Sequence, residues 1–188
     1  MSNSVQTLIY VARLSADEKE AILAQDKAFP NSDLKSALFS AVTDVCVDRL
    51  IRADGCLQVA KPLCSSADEE TLRAGVARAY YSMHHSLRAI ALWRNKWDPD
   101  GHEQSIKQLK LLLQDNAFVQ QTSLASNDWQ KVTEARNNRH VADYSPYDTQ
   151  RELRGIVSIT GNNWQSAAQF NYDLAETLLN SAFKVVGS

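Results

Sequence analysis

The chain has 188 residues, with 20 basic and 22 acidic side chains and a formal net charge of -2. That length suits a single domain around one core, and 44% hydrophobic residues exclude a chain disordered throughout. The near-neutral balance excludes a polybasic tail or a wholly basic nucleic-acid binder, while local basic faces stay open.

No apolar run approaches the roughly 18 residues that a membrane span needs. The patch Leu8-Ile9-Tyr10-Val11-Ala12 follows no basic stretch and precedes no small-residue cleavage site, so it does not read as a signal peptide. Cys46, Cys56 and Cys64 fit no paired zinc spacing. They are expected to be buried free thiols in a reducing compartment, the cytoplasm, with no metal and no cofactor.

Pro30, Pro62, Pro99 and Pro146 leave long intervals rich in helix formers, and the strand-like scraps are too short for a sheet. The expected class is all-α. Ser15-Ala16-Asp17-Glu18 predicts a capped helix to about Lys27. A longer helix, capped by Asn31 or Ser32, is expected to reach about Ala60 on an apolar stripe through Leu34, Leu38, Ala41, Val42, Val45, Leu50 and Leu57. Ser66-Ala67-Asp68-Glu69 opens a third helix, roughly Ala67 to Trp97, ended by Asp98-Pro99-Asp100-Gly101. A fourth is expected over His102 to Gln114, then a looser connection over Asp115 to Ser126. A fifth runs from Asn127 or Asp128 to about Asp143. A short helix around Gln150 to Ile159, a break at Thr160-Gly161-Asn162 and a final helix from Asn163 to Val186 complete the chain. The expected architecture is an antiparallel up-and-down bundle of four to five core helices, residues 50–188, with an N-terminal helical extension, residues 1–49.

From Thr71 to Trp97 there is no acidic residue, while Arg73, Arg78, Arg88, Arg94 and Lys96 recur. The helix dipole accounts for the bases near its end, less well for Arg78 and Arg88. Val76, Tyr80, Met83, Leu87 and Ile90 share one face and should be core. Tyr81, His84 and Arg88 lie on a neighbouring stripe flanked by Arg78 and His85, where they either hold a phosphate or pack against a partner helix. In Glu134 to Tyr144, Arg136 and His140 lie one turn apart, as do Arg139 and Asp143, and His140 and Tyr144. A histidine there could move the proton of an RNA 2′-hydroxyl while an arginine stabilises the phosphorus oxygens, without a metal. Equally, Arg139 and Asp143 could form a simple ion pair and Tyr144 pack on the core. Base stacking by Trp93, Trp97, Trp129 and Trp164 is less expected than packing in the bundle.

The stretch Ala77-Arg78-Ala79-Tyr80-Tyr81-Ser82-Met83-His84-His85-Ser86-Leu87-Arg88-Ala89 resembles the "AYYAMFHAARAL" helix of HEPN domains. Gly101-His102-Glu103-Gln104-Ser105-Ile106 falls where that family often starts a short helix, and Arg139-His140-Val141-Ala142-Asp143-Tyr144 resembles its "R-x-x-A-D-Y" group. The resemblance covers roughly residues 50 to 186. It implies a helical bundle, commonly a homodimer, in toxin–antitoxin, phage-defence or RNA-processing systems, with an antitoxin or nucleotidyltransferase as partner. Active members are metal-independent endoribonucleases with an Arg, four to six residues, then a His. Here Arg136 stands one position closer to His140 than that pattern, a rotation of about 100° around a helix.

Two functions follow. One is a non-catalytic or weakly active module that binds RNA or a nucleotide. The other is a metal-independent endoribonuclease. In the second, His140 and Arg136 would be catalytic. In either, Arg139, Tyr81, His84, Arg88 and Arg78 would hold phosphate, and Tyr80, Asp143 and Tyr144 would be structural. The first fifty residues resemble nothing comparable and either cover the core or bind a partner.

Overall fold

The computed structural model describes residues 32–99, 101–122, 124–144 and 159–187, with side chains from residue 40 onward except 41 and 144. Among them are six α-helices, one 3₁₀ turn and no strand, an all-α bundle. The helices are α1 (Ser32–Cys64), α2 (Glu69–Asn95), α3 (His102–Leu112), α4 (Asn116–Thr122), α5 (Asp128–Tyr144) and α6 (Trp164–Val186), with the 3₁₀ turn at Thr160–Asn162. The expected helices at residues 15–27 and 150–158 lie outside the described residues. No helix among those described is long and apolar enough to cross a membrane.

In α1, Cys46, Leu50, Ala53, Leu57, Ala60 and Cys64 recur at three- and four-residue steps, and all are buried. α1 continues through Pro62 to Cys64 instead of ending near Ala60. A proline in the last turn forfeits one backbone bond, and the packed face on either side of it holds the turn. The helix also runs unbroken across residues 49 and 50, where the extension was expected to meet the bundle.

After the turn at residues 65–68, α2 packs back along α1. A Cβ on Gly75 would lie 2.8 Å from the Cys64 Sγ and 2.9 Å from the Cys64 backbone nitrogen, while Cys46 donates its thiol to the Ala89 carbonyl at 3.6 Å. These two contacts, at opposite ends, make the pair antiparallel, and the first explains why residue 75 has no side chain. α2 starts two residues later than expected because Asp68, not Ser66, is the cap. Its carboxylate accepts from the Thr71 backbone N–H at 2.8 Å and the Thr71 hydroxyl at 2.6 Å.

α2 is the central element: α1, α6, α5 and α3 all pack on it. Val76, Tyr80, Met83, Leu87 and Ile90 are buried as their spacing predicts. The connection expected over Asp115 to Ser126 instead contains α4, whose Phe118 is fully buried and whose first turn is held by Asp115 accepting from the Ala117 N–H. Its apolar residues are too few to announce a periodicity.

Asn138 of α5 and Asn171 of α6 form a fully buried polar lock. Asn138 Nδ2 donates to Asn171 Oδ1 and to Thr160 Oγ1, each at 2.9 Å, and its Oδ1 accepts from the Thr160 N–H at 3.2 Å. Asn171 Nδ2 donates to the Val76 carbonyl at 3.4 Å and the Ala135 carbonyl at 3.2 Å. The lock therefore ties α2, α5, α6 and the 3₁₀ turn together. Gly161 enters that turn at φ +66°, and a Cβ there would sit 2.6 Å from the Ser166 Cβ. Asn163 then caps α6, accepting from the Ser166 N–H at 2.7 Å.

Candidate functional site

The polar stripe of α2 meets the first turn of α3 and one face of α5. α2 ends at Asn95, and His102, the first residue of α3, lies back over it. Its ring centroid is 4.2 Å from that of His84, 5.3 Å from Tyr80 and 6.3 Å from Tyr81. His85 continues the row, 6.0 Å from His84. Ser105, one turn into α3, places its Oγ 3.4 Å from His84 Nδ1 and also donates to the Gly101 carbonyl at 3.1 Å. Three of the four histidines thus share one groove.

From α5, Arg139 donates to the Tyr81 hydroxyl at 2.8 Å, with its guanidinium 5.3 Å from the Tyr81 ring centroid. Its Nε lies 2.7 Å from Asp143 Oδ2, the one-turn ion pair that the sequence suggests. Because the Tyr81 hydroxyl accepts from Arg139, its own proton points elsewhere and can be donated. Arg136, one turn earlier, is half-buried, and its charge reaches Tyr80 and His102.

These surroundings keep the imidazoles neutral. Burial, followed by the charges of His102, Arg88, His85 and Arg49, pulls His84 down to about 3. His102 is lowered by burial and then by Arg139, Arg136 and Arg88. His85 is lowered by burial and then by Arg49 and Arg88. The Tyr80 hydroxyl, almost wholly buried, is pushed up to about 12. Two ring nitrogens, His85 Nδ1 and His102 Nδ1, are buried with no hydrogen-bond partner among the described residues. Such atoms are uncommon in a finished interior.

At the other end of the row, Arg88 is committed to a carboxylate. Its Nε and an Nη donate to the two oxygens of Asp98 at 2.7 and 2.8 Å, and Arg49 of α1 donates to the same Oδ2. All three side chains are largely buried. This clamp anchors the turn that presents His102.

The remaining candidates are placed as follows. His140 is exposed on α5, and the histidine stacked within the groove is His102. Arg78 is exposed outside the ring cluster, where its charge reaches Cys56. Arg73, which the sequence offers only as one of a basic series, is buried: it donates to the Val141 carbonyl at 3.2 Å and stacks 4.9 Å from the Trp164 ring. The Tyr144 side chain lies outside the described residues. The cysteines are free, with Cys46 and Cys64 buried as expected but Cys56 only half-buried. Burial pushes the Cys46 thiol up to about 12 and the Cys64 thiol up to about 11. Trp93, Trp129 and Trp164 pack against the core. Among the described residues, no group of three or more His, Cys, Asp or Glu side chains is arranged to hold a metal.

Sequence reasoning missed His102 as a member of the groove and Arg49 and Asp98 as its anchor. No local signal placed His102, whose partners Tyr80, Tyr81 and His84 lie in the middle of α2. No family model, curated protein or solved structure matches the chain.

Proposed function

We propose that this protein is a HEPN-like module that binds the phosphate groups of RNA or a nucleotide without cleaving them. What supports it is the convergence of Arg136, Arg139, His102 and Tyr81 around the first turn of α3. A phosphate beside His102 would receive N–H donors from arginine and an O–H donor from Tyr81. Its negative charge would also offset the guanidinium field that now opposes protonation of His102.

Binding is favoured over cleavage by the state of the imidazoles. Metal-independent RNA cleavage needs a group that takes the 2′-hydroxyl proton and a protonated group for the leaving oxygen. Burial and the neighbouring cations lower both His84 and His102, so the ligand-free groove offers acceptors and fixed positive charge rather than a ready imidazolium, and His84 at about 3 stays neutral.

The test is fluorescence anisotropy of a short single-stranded RNA in chelator, with the RNA recovered and sized afterwards. Expected are binding that weakens with salt, intact RNA, and a loss of about tenfold in affinity for Arg139→Gln or Arg136→Gln. A negative ligand raises the lowered His102 value back toward its ordinary one, so affinity rises as pH falls below about 6.5. No binding at low salt, or equal binding by the doubly substituted protein, overturns the proposal. RNA shortened by the wild type but not by His140→Ala would establish the ribonuclease in its place.

A further inference from the structure

The far end of the histidine row repeats the chemistry of the near end, except that an anion already sits there. Arg49 and Arg88 converge on the Asp98 carboxylate, and the three side chains are only 13, 17 and 11% exposed. Arg49 reaches Asp98 through an Nη. Its Nε is buried with no hydrogen-bond partner among the described residues, and so is His85 Nδ1. After burial, the charge of Arg49 is the largest influence lowering His85, which puts the two in one neighbourhood. An arginine Nε can only donate, and a neutral imidazole can present an N–H at Nδ1. Both atoms therefore suit an acceptor, yet both Asp98 oxygens are already engaged by the guanidiniums.

We propose that Arg49, Arg88 and His85 form a second phosphate subsite, held by the Asp98 carboxylate as an internal competitor until a ligand with two separated phosphates displaces it. The inference rests on the phosphate-binding reading above, since the first phosphate still lies beside His102. A phosphate carries more acceptor oxygens than a carboxylate, enough for both guanidiniums, the open Arg49 Nε and the His85 N–H. Effective concentration decides the exchange. Asp98 is tethered just past the end of α2, so a free phosphate meets a rival at high local concentration. A phosphate linked to one already bound beside His102 is tethered too, and competes on similar terms. Spacing then selects the ligand class. His84 stands between the two ends, with ring steps of 4.2 Å to His102 and 6.0 Å to His85. The two phosphates of a pyrophosphate share an oxygen and would stay at one end. Consecutive phosphates of a single strand, with a nucleoside between them, span both. The connection can yield as Asp98 leaves, because it starts at Lys96 with φ +54°, a left-handed conformation that disfavours any side chain.

Calorimetric titration of the full chain with adenosine 5′-monophosphate and adenosine 3′,5′-bisphosphate tests the subsite, together with NMR of the histidine rings. Expected is a wild type that binds the bisphosphate about tenfold tighter than the monophosphate. The monophosphate should shift the His102 ring signals but not those of His85, and the bisphosphate should shift both. Asp98→Asn removes the competitor, so the ratio of affinities should widen to about a hundredfold. In that variant inorganic phosphate alone should shift His85. A carboxylate that merely anchors the turn predicts the reverse: weaker binding of both nucleotides, with the ratio unchanged. Arg49→Gln should abolish the difference between the two nucleotides, whereas Arg136→Gln should lower both affinities and keep their ratio. Equal affinities with His85 unmoved, in the wild type and in Asp98→Asn alike, overturn the second subsite and leave the first standing. Phosphate that shifts His85 in Asp98→Asn but never His102 upholds the second subsite and overturns the function proposed above. Should Asp98→Asn not fold, the wild-type ratio against that of Arg49→Gln decides alone, and equal ratios overturn the proposal.

Discussion

Two polar clusters flank α2, and they are finished to different degrees. In the Asn138–Asn171 lock, both buried side-chain amides are met by hydrogen bonds from or to three helices and the 3₁₀ turn. In the histidine groove, Arg139 and Tyr81 are paired, yet two buried ring nitrogens have no partner among the described residues. A satisfied interior network orders the elements around it, whereas polar atoms left open beside fixed positive charge hold capacity for something that arrives later. The lock shows where this fold uses polarity to define itself, and the groove shows where it keeps polarity in reserve.

Breaking the lock should have the largest effect. Asn138→Ala strands Asn171 Oδ1 and the Thr160 N–H inside the protein, and urea denaturation should show a loss of about 3 kcal/mol. An unchanged midpoint would mean that the lock contributes nothing to stability. Asp98→Asn weakens the anchor of the groove. Because the clamp is partly solvated, about 2 kcal/mol is expected, together with broadened His84 and His102 ring signals in NMR as the turn loosens.

Acid should separate the clusters by mechanism. The folded value of His84 is lowered to about 3, below the ordinary 6.5, so its contribution is full above about pH 6.5 and is lost as pH falls toward 3. Stability should decline by up to about 1.4 kcal/mol per pH unit across that window, and His84→Gln should flatten the decline. The amides of the lock do not titrate, so the Asn138→Ala penalty should be the same at pH 7 and pH 5.

The smallest stability effect sharpens the contrast most. His102→Ala removes a half-buried ring whose Nδ1 has no partner, so folding should change by less than about 1 kcal/mol while RNA binding falls. A large stability loss with binding intact would make His102 a second structural polar residue and erase the distinction between the clusters.

Much of the fold was legible from the chain alone. The core face of α2 follows from its periodicity, and the α6 start from Asn163, because helical spacing and capping are local properties. The end of α1 and the existence of α4 were not legible. Pro62 is kept helical by contacts with distant residues, and a seven-residue helix carries too little periodicity to stand out from a turn. Of the candidate site, Tyr81, His84 and Arg139 were found because α2 and α5 pack together. Arg88 was left open between a phosphate and a structural partner, and the carboxylate it pairs with lies ten residues on, across a turn whose direction no periodicity encodes.

By itself the sequence determined the helical class, the buried face of α2, and the chemical inventory of arginine, histidine and tyrosine. In α1 the expected Val42 and Val45 are half-buried, and Cys46, Ala53 and Ala60 take the core face. Tertiary structure decided which of those groups meet. It turned the chain at Asp98 so that His102 faces His84, left His140 exposed, and drew Arg49 and Arg88 onto one carboxylate. The physical reason is one of range. Backbone hydrogen bonding and amphipathic burial act over a few residues and are written in spacing. Ion pairing, ring stacking and desolvation depend on distances between elements, and those exist only once the helices have packed.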